Sequence, residues 1–170
     1  APDKKETKGC TAIIKEDIPT QTTQPPQQTQ AINVLFIEIM YDPSGEETSE
    51  EYIILSGSGD ISSWTISDNS GTLSFPDGTV INGKLIIARN ADFSSVYGCQ
   101  PHIADFGTMR GLNNDGDQLT LKDSNGQERD FVAWEKGANN AYPDWTIAAK
   151  EGSVLRKNSE WHEAQPSPCS

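Results

Sequence analysis

Glu38 and Glu51 are the two acids whose positions in the sequence could support acid–base catalysis. Glycoside hydrolases place two carboxyl groups on either side of a sugar bond, one as general acid and the other as base or nucleophile. Glu38, however, lies inside the apolar run of residues 32–40, where an acid persists only if a cation or backbone amides compensate its charge. We therefore predict a structural role for Glu38, with Arg89, Arg156 or backbone amides as its partner.

The segment from residue 42 to residue 51 contains five acids and no base. Hard cations such as Ca²⁺ prefer clustered carboxylate oxygens, so Glu46, Glu47 and Glu50 form a candidate calcium site or interaction surface. A solvated acidic loop is the simpler interpretation, because the spacing matches no calcium-binding loop. Asn113, Asp115 and Asp117 have the alternating spacing of a calcium-binding loop, but Gly116 is at the wrong position and no glutamate follows at the right distance, so residues 113–117 are predicted to form a turn. No cofactor is predicted, and calcium is kept as an alternative.

Residues that commonly build zinc sites or nucleophilic centres are few. His102 and His162 are the only histidines, and neither has a histidine, cysteine or carboxylate at the spacing of a zinc motif. Residues 56–59 read Ser-Gly-Ser-Gly, a flexible turn that differs from the strained strand-to-helix elbow of serine hydrolases. The domain is therefore predicted to lack catalytic machinery and not to be an enzyme.

Tyr142 and Trp145 lie in a stretch rich in Pro, Gly and Asn between two predicted strands. Aromatic side chains on such loops can stack on sugars or contact a partner protein. The alternative is that they cover the open end of the domain. Together with Glu46, Glu47 and Glu50, they form the candidate interaction surface.

A net charge of −12 at pH 7 excludes several partner classes. The first 30 residues carry equal numbers of basic and acidic side chains, so the whole net charge belongs to the rest of the chain. Nucleic-acid binding depends on Lys and Arg neutralising phosphates, and an acidic body also repels anionic membrane surfaces. No apolar run approaches the roughly 18 to 20 residues that span a bilayer. We predict a protein that binds no nucleic acid and does not cross a membrane.

The N-terminal part of the chain has the composition of a linker. Residues 19–30 are all Pro, Thr or Gln, and such a segment has no apolar side chains to offset the entropy of ordering its backbone. We predict that residues 1–30 form a disordered tether and that residues 31–170 form one domain. The tether serves either as a spacer or as a tail without a spacing function.

The three cysteines indicate the compartment. Cys169 lies near the C-terminus without apolar neighbours, and a free exposed thiol is unusual in a stable secreted protein. A disulfide between Cys99 and Cys169 is the preferred interpretation. Cys10 would then be unpaired; the alternatives are that it pairs with Cys169 or attaches the chain to a membrane. We predict an exported protein, located outside the cell or at its surface.

Short segments in which apolar and polar side chains alternate predict eight strands and one helical turn, at residues 91–97. Turn residues separate the strands at positions 56–60, 76–78, 82–83 and 123–126. This pattern favours an antiparallel all-β sandwich. The predicted strands cover residues 32–40, 52–55, 64–67, 72–75, 85–88, 119–121, 128–134 and 153–156. The predicted core consists of Trp64, Leu73, Phe75, Leu85, Ile87, Leu119, Leu121 and Phe131.

Several strings in this order and spacing resemble the lamin tail domain, an immunoglobulin-like sandwich, over nearly all of residues 32–170. The strings are IEIMYDP (37–43), EYIIL (51–55), ISSWTISD (61–68), FPDGT (75–79), LIIAR (85–89), LNNDGD (112–117), LTLKD (119–123) and GSVLR (152–156). Ile37 and Ile54 depart from the family pattern, which often has a small polar residue and Glu there.

The resemblance also implies a function. A heptad-patterned rod, a basic import cluster and a prenylation box, which make a nuclear lamin, are all missing. The resemblance therefore implies the prokaryotic use of this domain, as a non-catalytic module beside exported or membrane-associated hydrolases and nucleases. We expect a monomeric or weakly oligomeric interaction or attachment module whose partner is a protein or a cell-surface component. The alternative is a ligand-binding module for carbohydrate or calcium.

Overall fold

Ten β-strands and two short helices form the part of the chain that the computed structural model describes, which is residues 32–137 and 147–170. The predicted tether lies outside these residues. The helices are α1 (Glu47–Glu50) and α2 (Phe93–Tyr97). The strands are β1 (Val34–Met40), β2 (Tyr52–Asp60), β3 (Thr65–Ser67), β4 (Thr72–Ser74), β5 (Val80–Ala88), β6 (Ile103–Ala104), β7 (Gly116–Lys122), β8 (Glu128–Glu135), β9 (Val154–Lys157) and β10 (Trp161–Ala164).

The strands form two sheets. One has six strands in the order β10-β9-β1-β2-β5-β6, and the other has four in the order β4-β3-β7-β8. All neighbouring strands are antiparallel except β5 and β6. The fold is therefore the immunoglobulin-like all-β sandwich that the sequence predicted. Among the described residues, no helix has the length and apolar character needed to cross a membrane.

The main hydrophobic core lies between the two sheets. Seven of the eight predicted core residues belong to it, while Phe131 is buried but lies outside this cluster. In β1, the register shifts between Phe36 and Glu38. Because side chains alternate between the faces of a sheet, this bulge lets Phe36 and Ile39 both enter the core and turns Glu38 to the opposite face.

A second apolar cluster covers the outer face of the six-stranded sheet. It includes Tyr52, Ile54 and Ile86 from the sheet and Phe93 from α2. The Tyr52 ring meets the rings of Phe93 and Tyr97 edge-on, with centroid separations of 5.6 and 5.2 Å. The predicted helical turn is thus present, and it shields this face of the sheet from water.

Two predicted turns are wrong, because residues 56–59 and 82–83 lie inside the long strands β2 and β5. Gly57 pairs with Gly83, and Ser58 pairs with Asn82. A side chain at position 57 would place its Cβ atom 2.5 Å from the carbonyl oxygen of Asn33. Glycine at this position therefore permits close backbone approach within the sheet and does not end the strand. Strands β6 and β10 were not predicted, and the predicted acidic loop contains the short helix α1.

Tyr41 anchors the segment that follows the undescribed residues 138–146. Its hydroxyl accepts a hydrogen bond from the Ala149 amide (2.7 Å) and lies 2.9 Å from Glu135 Oε1, to which it can donate. Its ring stacks on Trp134 with a centroid separation of 5.1 Å. Burial raises the pKa of Tyr41, with the adjacent Glu135 carboxylate acting in the same direction. The hydroxyl is therefore a fixed structural group.

The preferred disulfide is present between Cys99 and Cys169, with Cα atoms 5.7 Å apart. Cys99 follows α2, so the bond holds the C-terminal segment against the outer face of the six-stranded sheet. The state of Cys10, which lies outside the described residues, stays a prediction.

Candidate functional site

A polar cleft of about 360 Å³ lies at the end of the sandwich where β2 begins and β5 ends. Four separate segments contribute its walls: α1 with the residue after it, the β3–β4 loop, the residue after β5, and the loop that leads into β7. The lining residues are Glu47, Glu51, Asn69, Ser70, Arg89, Arg110, Gly111, Leu112, Asn113, Gly116 and Asp117.

Glu51 is the most deeply placed acid of this cleft, with only 1% of its surface exposed. Its Oε2 atom accepts hydrogen bonds from Arg89 Nη1 (3.0 Å) and from the Leu112 amide (3.2 Å). Its Oε1 atom is buried and has no partner among the described residues. Burial raises the pKa of Glu51 from 4.5 to about 7, although Arg89 and the Leu112 amide oppose the shift. Glu51 therefore changes its protonation state near neutral pH.

Arg89 connects Glu51 to the loop before β7. Its Nη2 atom donates a hydrogen bond to the Arg110 carbonyl (2.6 Å). Gly111 has a φ of +127°, and a Cβ atom there would lie 2.7 Å from Arg89 Nη1. Glycine is therefore required for the guanidinium to reach the loop. The guanidinium of Arg110 itself is exposed, and among the described residues it forms no hydrogen bond or ion pair.

Residues 113–117 form the predicted turn at the opposite wall of the cleft. The Asp115 amide donates to Asn113 Oδ1 (3.0 Å), and the Gly116 amide donates to the Asn113 carbonyl (3.3 Å). Asp117 is 7% exposed and accepts hydrogen bonds from the Asn113 and Gln118 amides. Burial raises the pKa of Asp117 although these amides oppose it. The oxygens of this wall are thus largely used in holding the turn.

α1 and the residue before it carry the three acids of the candidate interaction surface. Glu47 lines the cleft and accepts a hydrogen bond from Asn114 Nδ2 (3.1 Å), whereas Glu46 and Glu50 are not among its lining residues. Glu50 Oε1 instead accepts a bond from the Glu46 amide (3.2 Å). Tyr142 and Trp145 lie outside the described residues. Within residues 32–137 and 147–170, no three acidic, histidine or cysteine side chains are grouped to hold a metal ion.

Glu38 has the structural environment that was predicted for it. Its Oε2 atom accepts a hydrogen bond from Arg156 Nε (2.7 Å), and its Oε1 atom accepts bonds from the Tyr52 hydroxyl (2.5 Å) and the Ser167 amide (3.3 Å). Arg89, the other cation considered, is the partner of Glu51. Because Glu38 and Glu51 lie on opposite faces of the six-stranded sheet, they do not form an acid–base pair across one sugar bond.

A second crevice, of about 320 Å³, lies on the outer face beside Glu38. Ile37 and Ile54, the two departures from the lamin tail pattern, both line it, so its floor is apolar. Its three cations are bound within the domain. Lys84 Nζ donates to the Pro168 carbonyl (2.7 Å) and to the carbonyl of Ser170, Arg156 binds Glu38, and Lys157 Nζ lies 3.7 Å from Asp130 Oδ1. This crevice is a seam between the sheet and the C-terminal segment.

The polar cleft is therefore the best candidate site. Sequence reasoning named Glu47, Glu51 and Arg89 but missed Asn69, Ser70 and Arg110, which have no local pattern and meet only through folding.

The comparisons with known proteins identify one family. A family model described as Lamin Tail Domain matches residues 27–136. No curated protein and no solved structure matches the chain.

Proposed function

Because the chain belongs to the lamin tail domain family, whose immunoglobulin-like members are non-catalytic interaction modules, we propose that it attaches an exported protein to a protein or cell-surface component. In this proposal the protein belongs to a prokaryotic cell, as the resemblance to the exported lamin tail domains of prokaryotes implies. The attachment takes place outside the cell or at its surface.

The observation that supports export is the disulfide between Cys99 and Cys169. Cytosolic thiols are kept reduced, whereas disulfides persist in oxidising compartments. This disulfide joins residues 70 positions apart and holds the segment that also contacts Glu38 and Arg156. A domain whose C-terminal segment depends on such a bond is suited to an environment without thiol reductants.

Export can be tested on the protein in its native cells. Cells are divided into cytosolic, surface and extracellular fractions, free thiols are blocked during lysis, and the protein is digested without reduction. We expect it outside the cytosol, with the peptides of Cys99 and Cys169 linked. A cytosolic protein with both thiols free would overturn the proposal.

Attachment can be tested by retention of the protein at the cell surface. α1 and the residue before it carry three acids, Glu46, Glu47 and Glu50, of which Glu46 and Glu47 are exposed and Glu50 is partly exposed. We expect the triple glutamine variant to be released into the medium more readily than the parent, measured by flow cytometry with an antibody. The triple variant Asp77→Asn, Glu128→Gln and Glu160→Gln, which removes three exposed acids elsewhere on the surface, is the matched control. Equal retention of all variants would remove these acids from the proposed surface.

The calcium alternative has a simple thermal test. A ligand that binds only the folded state raises the melting temperature. An equal melting temperature in millimolar Ca²⁺ and in EDTA would rule out a calcium function for the acidic segment.

A further inference from the structure

The polar cleft holds hydrogen-bonding groups that the domain leaves unused. Glu51 Oε1 is a buried acceptor without a partner, while Oε2 of the same carboxylate accepts two bonds. Buried polar atoms are nearly always bonded to protein or water, so an exception calls for an explanation. The exposed guanidinium of Arg110 offers several donors. The cleft thus holds a buried acceptor without a partner among the described residues, beside an exposed guanidinium whose donors are likewise unused.

The charges around the cleft argue against an ionic ligand. Glu47 and Asp117 face Arg89 and Arg110 across it, so two acids are balanced by two guanidinium groups, with Glu51 close to its own titration. The strongly acidic rest of the domain repels an anion, and the two guanidinium groups of the lining repel a small cation at the cleft itself. A neutral ligand whose groups both donate and accept would gain at every contact.

Hydroxyl groups have this property, since each is one donor and two acceptor lone pairs. We propose that the cleft binds a carbohydrate, with hydroxyl groups of one sugar ring donating to Glu51 and accepting from Arg110. The cleft volume of about 360 Å³ falls in the range of small-ligand pockets. Asn69 and Ser70 add short polar side chains to the same wall.

None of the described residues that line the cleft is aromatic, so the carbohydrate proposal does not depend on Tyr142 or Trp145. The carbohydrate proposal is also independent of the proposal that the protein is exported. Sugar binding by the purified chain can fail while export holds, and the reverse is equally observable.

The test is a titration of the full 170-residue chain, labelled with ¹⁵N and followed by two-dimensional NMR. D-glucose, D-galactose, D-mannose and N-acetyl-D-glucosamine are added separately to about 50 mM, above the Kd of about 1 to 10 mM expected for one sugar ring. The Leu112 amide, bonded to Glu51, and the Gly111 amide are the local reporters. We expect at least one sugar to shift both resonances saturably. No saturable shift with any of the four would overturn the proposal.

Two variants locate the binding. Arg110→Ala removes an exposed side chain without disturbing the core, and Glu51→Gln removes the carboxylate while keeping its shape. Each should weaken binding of the active sugar at least tenfold, and Glu160→Gln, which removes an exposed acid that does not line the cleft, should leave it unchanged. If Glu51→Gln does not fold, Arg110→Ala alone decides.

Two further outcomes would also overturn the carbohydrate proposal. Unchanged sugar binding in Arg110→Ala would place the sugar elsewhere. Reporter shifts with L-arginine but with none of the sugars would identify the cleft as a site for basic side chains.

Discussion

Replacing Glu51 by glutamine should remove a pH-dependent loss of stability that this side chain imposes. Burial raises its pKa from 4.5 to about 7, so the folded protein holds this proton more tightly than the unfolded chain does. The stabilisation that this tightly held proton contributes is fully present below pH 4.5 and is lost as the pH rises to about 7. At about 1.4 kcal/mol per pKa unit, the free energy of unfolding falls by about 3 kcal/mol over this window.

Glutamine imitates the protonated acid. Its amide oxygen can still accept the hydrogen bonds from Arg89 and Leu112, but it does not ionise. Urea unfolding followed by tryptophan fluorescence, at about pH 5, 6, 7 and 8, gives the free energy of unfolding at each pH. We expect the variant and the parent to differ little at the acidic end, and the variant to be more stable by up to about 3 kcal/mol at the alkaline end.

The difference between the two profiles isolates Glu51, because Asp42 and Asp117, whose pKa values are also raised by burial, titrate in both proteins. Glu46→Gln removes the same charge from an exposed position and serves as the matched control. Parallel profiles for Glu51→Gln and the parent would refute the assignment of this proton to Glu51.

Three further predictions concern the rest of the fold. Arg156→Met should cost about 3 to 5 kcal/mol by removing the cation that pairs with the buried Glu38 side chain, and adding Glu38→Gln should restore part of it; urea unfolding in which the double variant is no better would contradict this. Cys169→Ser should cost about 4 kcal/mol, from the entropy of the 70-residue loop it opens; an unchanged urea midpoint would count against it. Tyr41→Phe should cost about 1 to 3 kcal/mol and speed hydrogen exchange at the Ala149 amide, whereas unchanged exchange would show that the hydroxyl does not protect it.

Local patterns were sufficient for much of the fold. The alternation in residues 119–121 and 128–134, with a turn between them, predicted the hairpin of β7 and β8. Its turn is held by Asp123, which accepts hydrogen bonds from the Asn125 and Gln127 amides. The partner of Glu38 was also predictable, because a buried acid needs a cation and the sequence offers few arginines.

The wrong turns in β2 and β5 have a non-local cause. Each strand alone has the composition of a turn around Gly57 or Gly83, but the two segments pair with each other across the sheet. Their glycines and small polar residues form ladder hydrogen bonds that neither segment could form by itself. Strand β10 was missed for a similar reason, since it pairs with β9 through backbone groups and its side chains are partly exposed.

The polar cleft could be predicted only in part. The acids near residue 51 and the basic Arg89 were visible, but Glu51 and Arg89 are 38 positions apart, and no periodicity relates them. Arg110 meets the β3–β4 loop only in the fold, where its amide donates a hydrogen bond to Ser70 Oγ (3.0 Å). The pairing of Arg89 with Glu51 therefore became evident only from the fold.

The place of β1 in the six-stranded sheet determines how the domain would carry mechanical load. β1 lies between β2 and β9. The chain enters the six-stranded sheet at Val34, where β1 begins. The other end of β1 lies beside the cleft. Hydrogen bonds between antiparallel strands run perpendicular to the strands. A pull between a partner held at the cleft and the chain before Val34 would therefore shear both ladders of β1 together. Resistance to force is set by the rate of unfolding. The domain would unfold more slowly under this pull than under a pull that peels a strand from the edge of the sheet.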